Sequence, residues 1–212
     1  MNKIQKALQK LQTILPIEEN LEKLNHQQRQ FYYYILDSFA NNTADFQNFS
    51  QAKKEDLKTL SQYDMVILDA EGLPCGIYPM TKENRGFNVL LNSQNINAMC
   101  ALDSLAISLM FQQKVIINAH CVVSKQPIQI KQNKTQIDTQ DDLIFFGIDW
   151  QKQCSSSSCA SSLCQAMIFL KDEHNAVIWQ EQNKENREIF DLKEALEFSS
   201  SFFMPLLKYK EK

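Results

Sequence analysis

Ala98-Met99-Cys100-Ala101-Leu102-Asp103-Ser104-Leu105 sets a thiol and a carboxyl group three positions apart at the head of an apolar run that reads as a helix. Residues i and i+3 share one helix face, so both groups can address a single ligand. A cysteine near a helix N-terminus lies beside unpaired backbone amides that favour its thiolate. Asp103 works against this, because a neighbouring carboxylate disfavours a second negative charge when no metal intervenes. Two readings of these residues stand. In the plainer one, Cys100 packs into the core and Asp103 caps the helix. In the other, Cys100 and Asp103 join Cys164, a thiol from a separate segment, to bind a soft metal and handle a proton beside it.

Outward from that helix the pattern is mixed. Phe87 to Leu91 reads as a strand, followed by a short loop into the Cys100 helix, which runs through Met110 or Phe111. Val115-Ile116-Ile117, Ile128-Gln129-Ile130 and Leu143-Ile144-Phe145-Phe146 supply further strands, with Pro127 at a strand start or an edge. A serine-rich connection over 151–163 leads to Cys164 and the apolar Ala166-Met167-Ile168-Phe169-Leu170. Asp191, with Glu194 three residues later, has the form of a capping box for a helix through about Phe202 that Pro205 ends.

Toward the N-terminus, Ile4, Leu8, Leu11 and Leu15 form a helical stripe broken near Pro16. A second helix is predicted from Glu18 to Phe39 with a break near Asn25-His26, and Ser50 caps a third through Leu60. Met65 to Leu68 and Gly76 to Tyr78 then resemble a hairpin. The expected fold class is α+β: a helical, winged-helix-like domain over residues 1–82, then a mixed-sheet domain over 83–212.

Composition excludes several functions. With 44% hydrophobic and 22% charged residues in 212, the chain has the make-up of a folded protein with a sizeable core. A net charge of −3 gives no bias toward nucleic acid, and residues 50–62, where a winged helix reads DNA, carry only Lys53, Lys54 and Lys58 as basic groups. No apolar run reaches bilayer length and no signal-like block follows the early lysines, so a cytoplasmic protein with no membrane partner is expected. Four glycines leave no phosphate-cradling loop. Six cysteines in a reducing compartment are not disulfide staples. Cys75 reads as a casual thiol in the hairpin, and His120 as a core or loop histidine. Cys154 and Cys159 stand in register with Cys164 as Cys-x4-Cys-x4-Cys, a spacing unlike structural zinc sites, and read first as incidental loop thiols.

The stretch around Cys100 and Asp103 resembles the catalytic helix of bacterial alkylmercury lyases, also called organomercurial lyases. The similarity continues through Ala119-His120-Cys121, Pro127-Ile128-Gln129-Ile130, Ser162-Leu163-Cys164 with Trp179 ten residues after Phe169, and Phe190-Asp191-Leu192-Lys193-Glu194-Ala195. It covers roughly residues 64 to 200 and weakens over the N-terminal helices. The resemblance implies protonolysis, in which R–Hg⁺ and a proton give RH and Hg(II). Cys100 and Cys164 would bind mercury as thiolates. Asp103 would deprotonate the thiols, deliver a proton to the departing carbon and support the bound Hg(II). It also implies that no built-in cofactor is required. The metal is a transient product, low-molecular-weight thiols sustain turnover, and a mercuric reductase is a possible acceptor.

By the same resemblance Cys121 supports the fold, while Cys154 and Cys159 gain a second reading as mercury relays or protectors of Cys164 by thiol exchange. Three departures bear on substrate range and rate. Met99 stands where the family often has an aromatic residue, Ala160 where better-known members carry arginine, and Gln165 to Ile168 where they have a second cysteine and histidines. The rival function is a noncatalytic mercury- or copper-binding protein using Cys100 and Cys164; a winged-helix regulator ranks behind it. Oligomeric state is left open by the sequence.

Overall fold

A computed structural model describes residues 1–43, 46, 49–138, 143–152 and 158–210. Its N-terminal part is helical. Helix α1 (Lys3–Ile14) starts at a capping box between Asn2 and Gln5 and buries Ile4, Ala7 and Leu11. The helix expected over 18–39 is two helices, α2 (Ile17–Lys23) and α3 (His26–Ala40). The break falls at Asn25 because its side chain accepts the Gln28 amide and Gln28 caps back, which starts a new helix there. Ser50 caps α4 (Gln51–Gln62), as its position predicts.

The strands begin directly after α4. They are β1 (Val66–Leu68), β2 (Pro74–Ile77), β3 (Met80–Thr81), β4 (Asn88–Leu91) and β5 (Gln94–Ala98). Helix α5 (Ala101–Phe111) follows, then β6 (Lys114–His120), β7 (Pro127–Asn133) and β8 (Gln136–Asp138). Together the strands form one eight-stranded sheet in the order β1-β2-β3-β5-β4-β6-β7-β8, antiparallel at every pairing described. The β1–β2 hairpin is thus no free-standing wing. Through β3, whose Met80 pairs with Ala98, it continues into the main sheet.

The segment before Cys100, read as a loop, is strand β5. Asn92 and Ser93 both take positive φ, 50° and 65°, which makes a two-residue hairpin turn, and Leu91 pairs with Gln94. The strand has one apolar residue with a β-preference, Ile96, so its ladder bonds to β4 and β3 hold it rather than its composition.

A second sheet, β10 (Met167–Leu170), β9 (Phe145–Asp149) and β11 (Arg187–Asp191), carries helix α6 (Glu173–Glu181) between its outer strands. Asp191 and Glu194 form the expected capping box of α7 (Leu192–Phe203). Phe146, Phe190 and Phe198 lock β9, β11 and α7 together, with centroids 5.7 to 6.3 Å apart.

Helix α5 is the axis of the molecule. It packs on α7 on one side and across β4, β5, β6 and β7 on the other, with β10 against it, and every residue from Ala101 to Met110 is buried. Each fully buried Leu or Ile on it contributes about 1.5–3 kcal/mol of burial. That apolar enclosure surrounds one carboxyl group, Asp103. Helix α1 lies along α7, and the Tyr33 hydroxyl donates to the Leu206 carbonyl at 2.8 Å, so the N-terminal helices are fastened to the C-terminal end.

Candidate metal and proton-transfer site

Cys100 is the N-cap of α5, in extended backbone at φ −156° and ψ −177°. Its sulfur accepts the Asp103 amide at 3.4 Å, and its S–H donates to Asp103 Oδ2 at 2.6 Å. A thiol here caps the helix as a serine hydroxyl would, so the helix start itself fixes the i, i+3 pair. The cap alone brings the thiol and the carboxyl group together.

Cys164 arrives from the 3₁₀ turn Leu163–Ala166, immediately before β10. Its sulfur, the Cys100 sulfur and a carboxylate oxygen of Asp103 all lie within 4.8 Å of one another. Cys100, Asp103 and Cys164 are 0%, 2% and 3% exposed, which puts the trio out of reach of bulk water screening. Among the described residues this is the single cluster of three His, Cys, Asp or Glu side chains with ligand atoms so close. Met167 Sδ adds a further sulfur 3.6 Å from Cys100 Sγ.

Burial dominates the protonation of the site. It lifts the Asp103 carboxyl to about 7, although the hydrogen bond from Cys100 and the charge of Arg85 pull it down. Burial likewise lifts the Cys100 thiol to about 11, opposed by its contact with Cys164 and helped by the Asp103 charge. The thiolate-favouring effect expected of the helix N-terminus is therefore outweighed. Cys164 is raised well above an ordinary thiol by its contacts with the Cys100 and Cys159 thiols and by burial. At rest the site holds two protonated thiols around a carboxyl group that changes charge near neutrality.

A second row of residues supports the trio. Buried Tyr78, just after β2, donates its hydroxyl to Asp64 Oδ2 at 3.3 Å, and the same oxygen accepts the Cys159 amide at 2.8 Å. Tyr78 is held well above its ordinary pKa by burial and then by the charges of Cys164, Asp64, Cys159 and Asp103, which places it at the edge of the site. Arg85, between β3 and β4, pairs with Glu83 at 2.8 Å and donates to the Ala160 carbonyl, so a guanidinium reaches the turn that leads to Cys164. Tyr78, Asp64 and Arg85 carry no local sequence signal, since the sheet and not their spacing brings them here. Met99 lies over Gly76, where a Cβ would stand 2.8 Å from Met99 Cε.

The other cysteines separate clearly. Cys121 is buried where β6 turns toward β7; its amide donates to the Gln126 carbonyl at 2.9 Å and its sulfur accepts the Ser124 amide at 3.5 Å. Burial raises this thiol, but hydrogen bonds from Ser124, Lys171 and Val123 outweigh it and leave the pKa lowered. Cys121 is not part of the trio. His120 is exposed at the last pair of the β6–β7 ladder, opposite Pro127, and Cys75 is half-buried in β2. Cys159 is 1% exposed and sits in the 3₁₀ turn Cys159–Ser161, not in an open loop. Cys154 lies outside the described residues.

The sequence model of the family described as MerB, alkylmercury lyase, matches residues 80–204. No curated protein matches the chain in sequence. Among solved structures, the one described as the crystal structure of the mercury-bound form of MerB2 superposes with a TM-score of 0.72 at 20% identity, covering 92% of this chain and 99% of that one. At that identity the likeness speaks for the fold, including the N-terminal helices that the family match leaves out. No helix among the described residues is long and apolar enough to cross a membrane. With the family match spanning more than half of the 212 residues and the fold agreeing over nearly the whole length, this chain belongs to the alkylmercury lyase family.

Proposed function

We propose that this alkylmercury lyase cleaves carbon–mercury bonds with Cys100 and Cys164 as mercury ligands and Asp103 as the proton carrier. The observation that carries the reading is the buried carboxyl group 2.6 Å from Cys100 Sγ, with Cys164 Sγ inside the same 4.8 Å cluster. A trap for soft metal needs the thiols alone; a proton-carrying oxygen acid is what breaking a carbon–mercury bond adds.

An organomercury thiolate, R–Hg–SR′, first exchanges with one cysteine, giving Cys–S–Hg–R and R′SH. As the second sulfur binds, Asp103 takes its proton and then delivers it to the carbon, releasing RH and leaving Hg(II) on two sulfurs. Asp103 ends as it began. Soft mercury prefers thiolate donors, and two of them raise electron density on the bound carbon and ease its protonation. Holding the acid at the reacting atom contributes the roughly 10²–10⁴-fold typical of positioned acid–base groups. A carboxyl that titrates near 7 is matched to both halves of the transfer.

No organic cofactor enters the scheme. Hg(II) leaves to low-molecular-weight thiols, and a mercuric reductase is the natural downstream acceptor. The test follows hydrocarbon release from phenylmercury or methylmercury with excess thiol in wild type, C100A, C164A and D103A. The three variants are expected to lose release; normal turnover without Cys100 or Cys164 refutes the mechanism.

A further inference from the structure

We propose that Met167 is a third sulfur ligand to mercury, so that the Hg(II) left by cleavage rests among two thiolates and one thioether. The inference rests on the mercury chemistry proposed above and adds to it a residue that takes no part in the proton transfer.

The contact that carries it is direct. Met167 Sδ lies 3.6 Å from Cys100 Sγ, and Cys164 Sγ lies within 4.8 Å of that same thiol sulfur. Met167 opens β10, where it pairs with Ile148 of β9, and its amide donates to the Cys164 carbonyl at the end of the 3₁₀ turn Leu163–Ala166. One short, anchored piece of chain thus presents both Cys164 and Met167 to Cys100. Met167 is buried at 2% exposure, so its thioether is shielded from bulk water along with the trio.

The resting site leaves this sulfur unused. Cys100 has one thiol proton, and it goes to Asp103 Oδ2 at 2.6 Å rather than to the more distant thioether, a weak acceptor. Asp103 Oδ1 is fully buried and has no hydrogen-bond partner among the described residues. Two donor atoms therefore face the thiols without a partner of their own, one a carboxylate oxygen and one a thioether sulfur. Sulfur is the better match to a soft metal. Charge favours it as well. Two thiolates already balance Hg(II), and a third anionic sulfur would bury an uncompensated charge, whereas methionine adds a donor that carries none.

The added bond is dative. Hg(II) on Cys100 and Cys164 shares a lone pair of Met167 sulfur; no bond breaks, no proton moves and no oxidation state changes. The consequence is a slower loss of product Hg(II) to external thiols.

The experiment uses the full chain and inorganic mercury. Wild type and M167L, both labelled with carbon-13 at the methionine methyl groups, receive one equivalent of HgCl₂. Leucine keeps the volume and apolar character of the side chain and removes the sulfur. Of the seven methionine methyl signals in wild type, the one missing from M167L belongs to Met167, and it is expected to shift when Hg(II) binds. On dialysis against millimolar monothiol, retention of Hg(II) should fall about 10- to 100-fold in M167L, the range met when a supporting group at a metal site is lost. A Met167 signal that mercury does not move, or equal retention in the two proteins, overturns the proposal and leaves the cysteine pair standing. A wild type that keeps no Hg(II) at all overturns both readings. If M167L does not fold, M167I, whose branched side chain suits a strand, takes its place. Because HgCl₂ has no carbon–mercury bond, the outcome is independent of whether wild type cleaves one.

Discussion

Replacing Asp103 with asparagine separates the two demands placed on this carboxyl group. The folded pKa is about 7 against an ordinary 3.8, because a 2% exposed carboxylate in an apolar helix is poorly solvated. A raised carboxyl pKa means that the folded state binds the proton more tightly than the unfolded chain. Its effect on stability is nil below the ordinary value, then unfavourable, growing as pH rises from about 4 and complete above about 7. At 1.36 kcal/mol per unit, the full cost of the ionised group is roughly 4 kcal/mol, of which about 2–3 kcal/mol falls between pH 5 and pH 8. The amide of D103N never ionises. It sacrifices hydrogen-bonding quality at the Cys100 contact and leaves an N–H unpaired, about 1–3 kcal/mol at either pH. The difference between the two pH values cancels that constant loss.

Urea denaturation of wild type and D103N under reducing conditions therefore gives a stability gap that moves in the variant's favour by about 2–3 kcal/mol from pH 5 to pH 8, on the order of 1 M in midpoint. Hydrocarbon release in the same variant falls by about 10²–10⁴-fold. A gap that does not change with pH refutes the burial argument, and undiminished release in D103N refutes the proton-carrier role.

The same carboxyl sets a pH profile: release in wild type rises as pH increases through about 7, since Asp103 must be ionised to take a thiol proton, and a flat profile from pH 5 to 8 contradicts this. C121A is expected to lose about 1–3 kcal/mol in urea denaturation, from the lost amide bonds to sulfur, while retaining Hg(II) like wild type; loss of retention would place Cys121 in the chemistry. G147A is expected to cost about 1–3 kcal/mol, because a Cβ there meets Trp179 Cζ3 at 2.8 Å and Ile168 Cδ1 at 3.0 Å; unchanged stability would mean that the indole is free to shift.

What the sequence made legible depended on whether a local device marked it. Ser50, Asn25 and Asp191 are polar residues at helix starts, and the helices begin where they stand. The apolar run after Cys100 could only be a buried helix, and α5 ends at Phe111 as its pattern implies. Strand β5 was hidden because Gln94, Asn95 and Asn97 favour turns over strands, and long-range pairing overrides that preference. Helix α6 and strand β11 were not foreseen, since Val177 and Ile178 are exposed rather than on the buried side and Arg187 and Glu188 open the strand with charge. In the site, the Cys100–Asp103 pair could be read because three residues of helix connect them. Cys164 could be named as a candidate partner thiol but not placed by spacing, and Tyr78, Asp64 and Arg85 could not be found at all, since their approach depends on how the sheet runs past β3.

The eight-stranded sheet runs across residue 82, joining strands from either side of it. Its first strand starts at Val66, its third pairs with the strand that leads into Cys100, and its hairpin carries the tyrosine that steadies Asp64 and, through it, Cys159. A chimera that exchanged the first eighty residues for those of a relative would replace one wall of the reaction chamber along with the cover. Substitutions in β1–β3 should accordingly surface as altered chemistry.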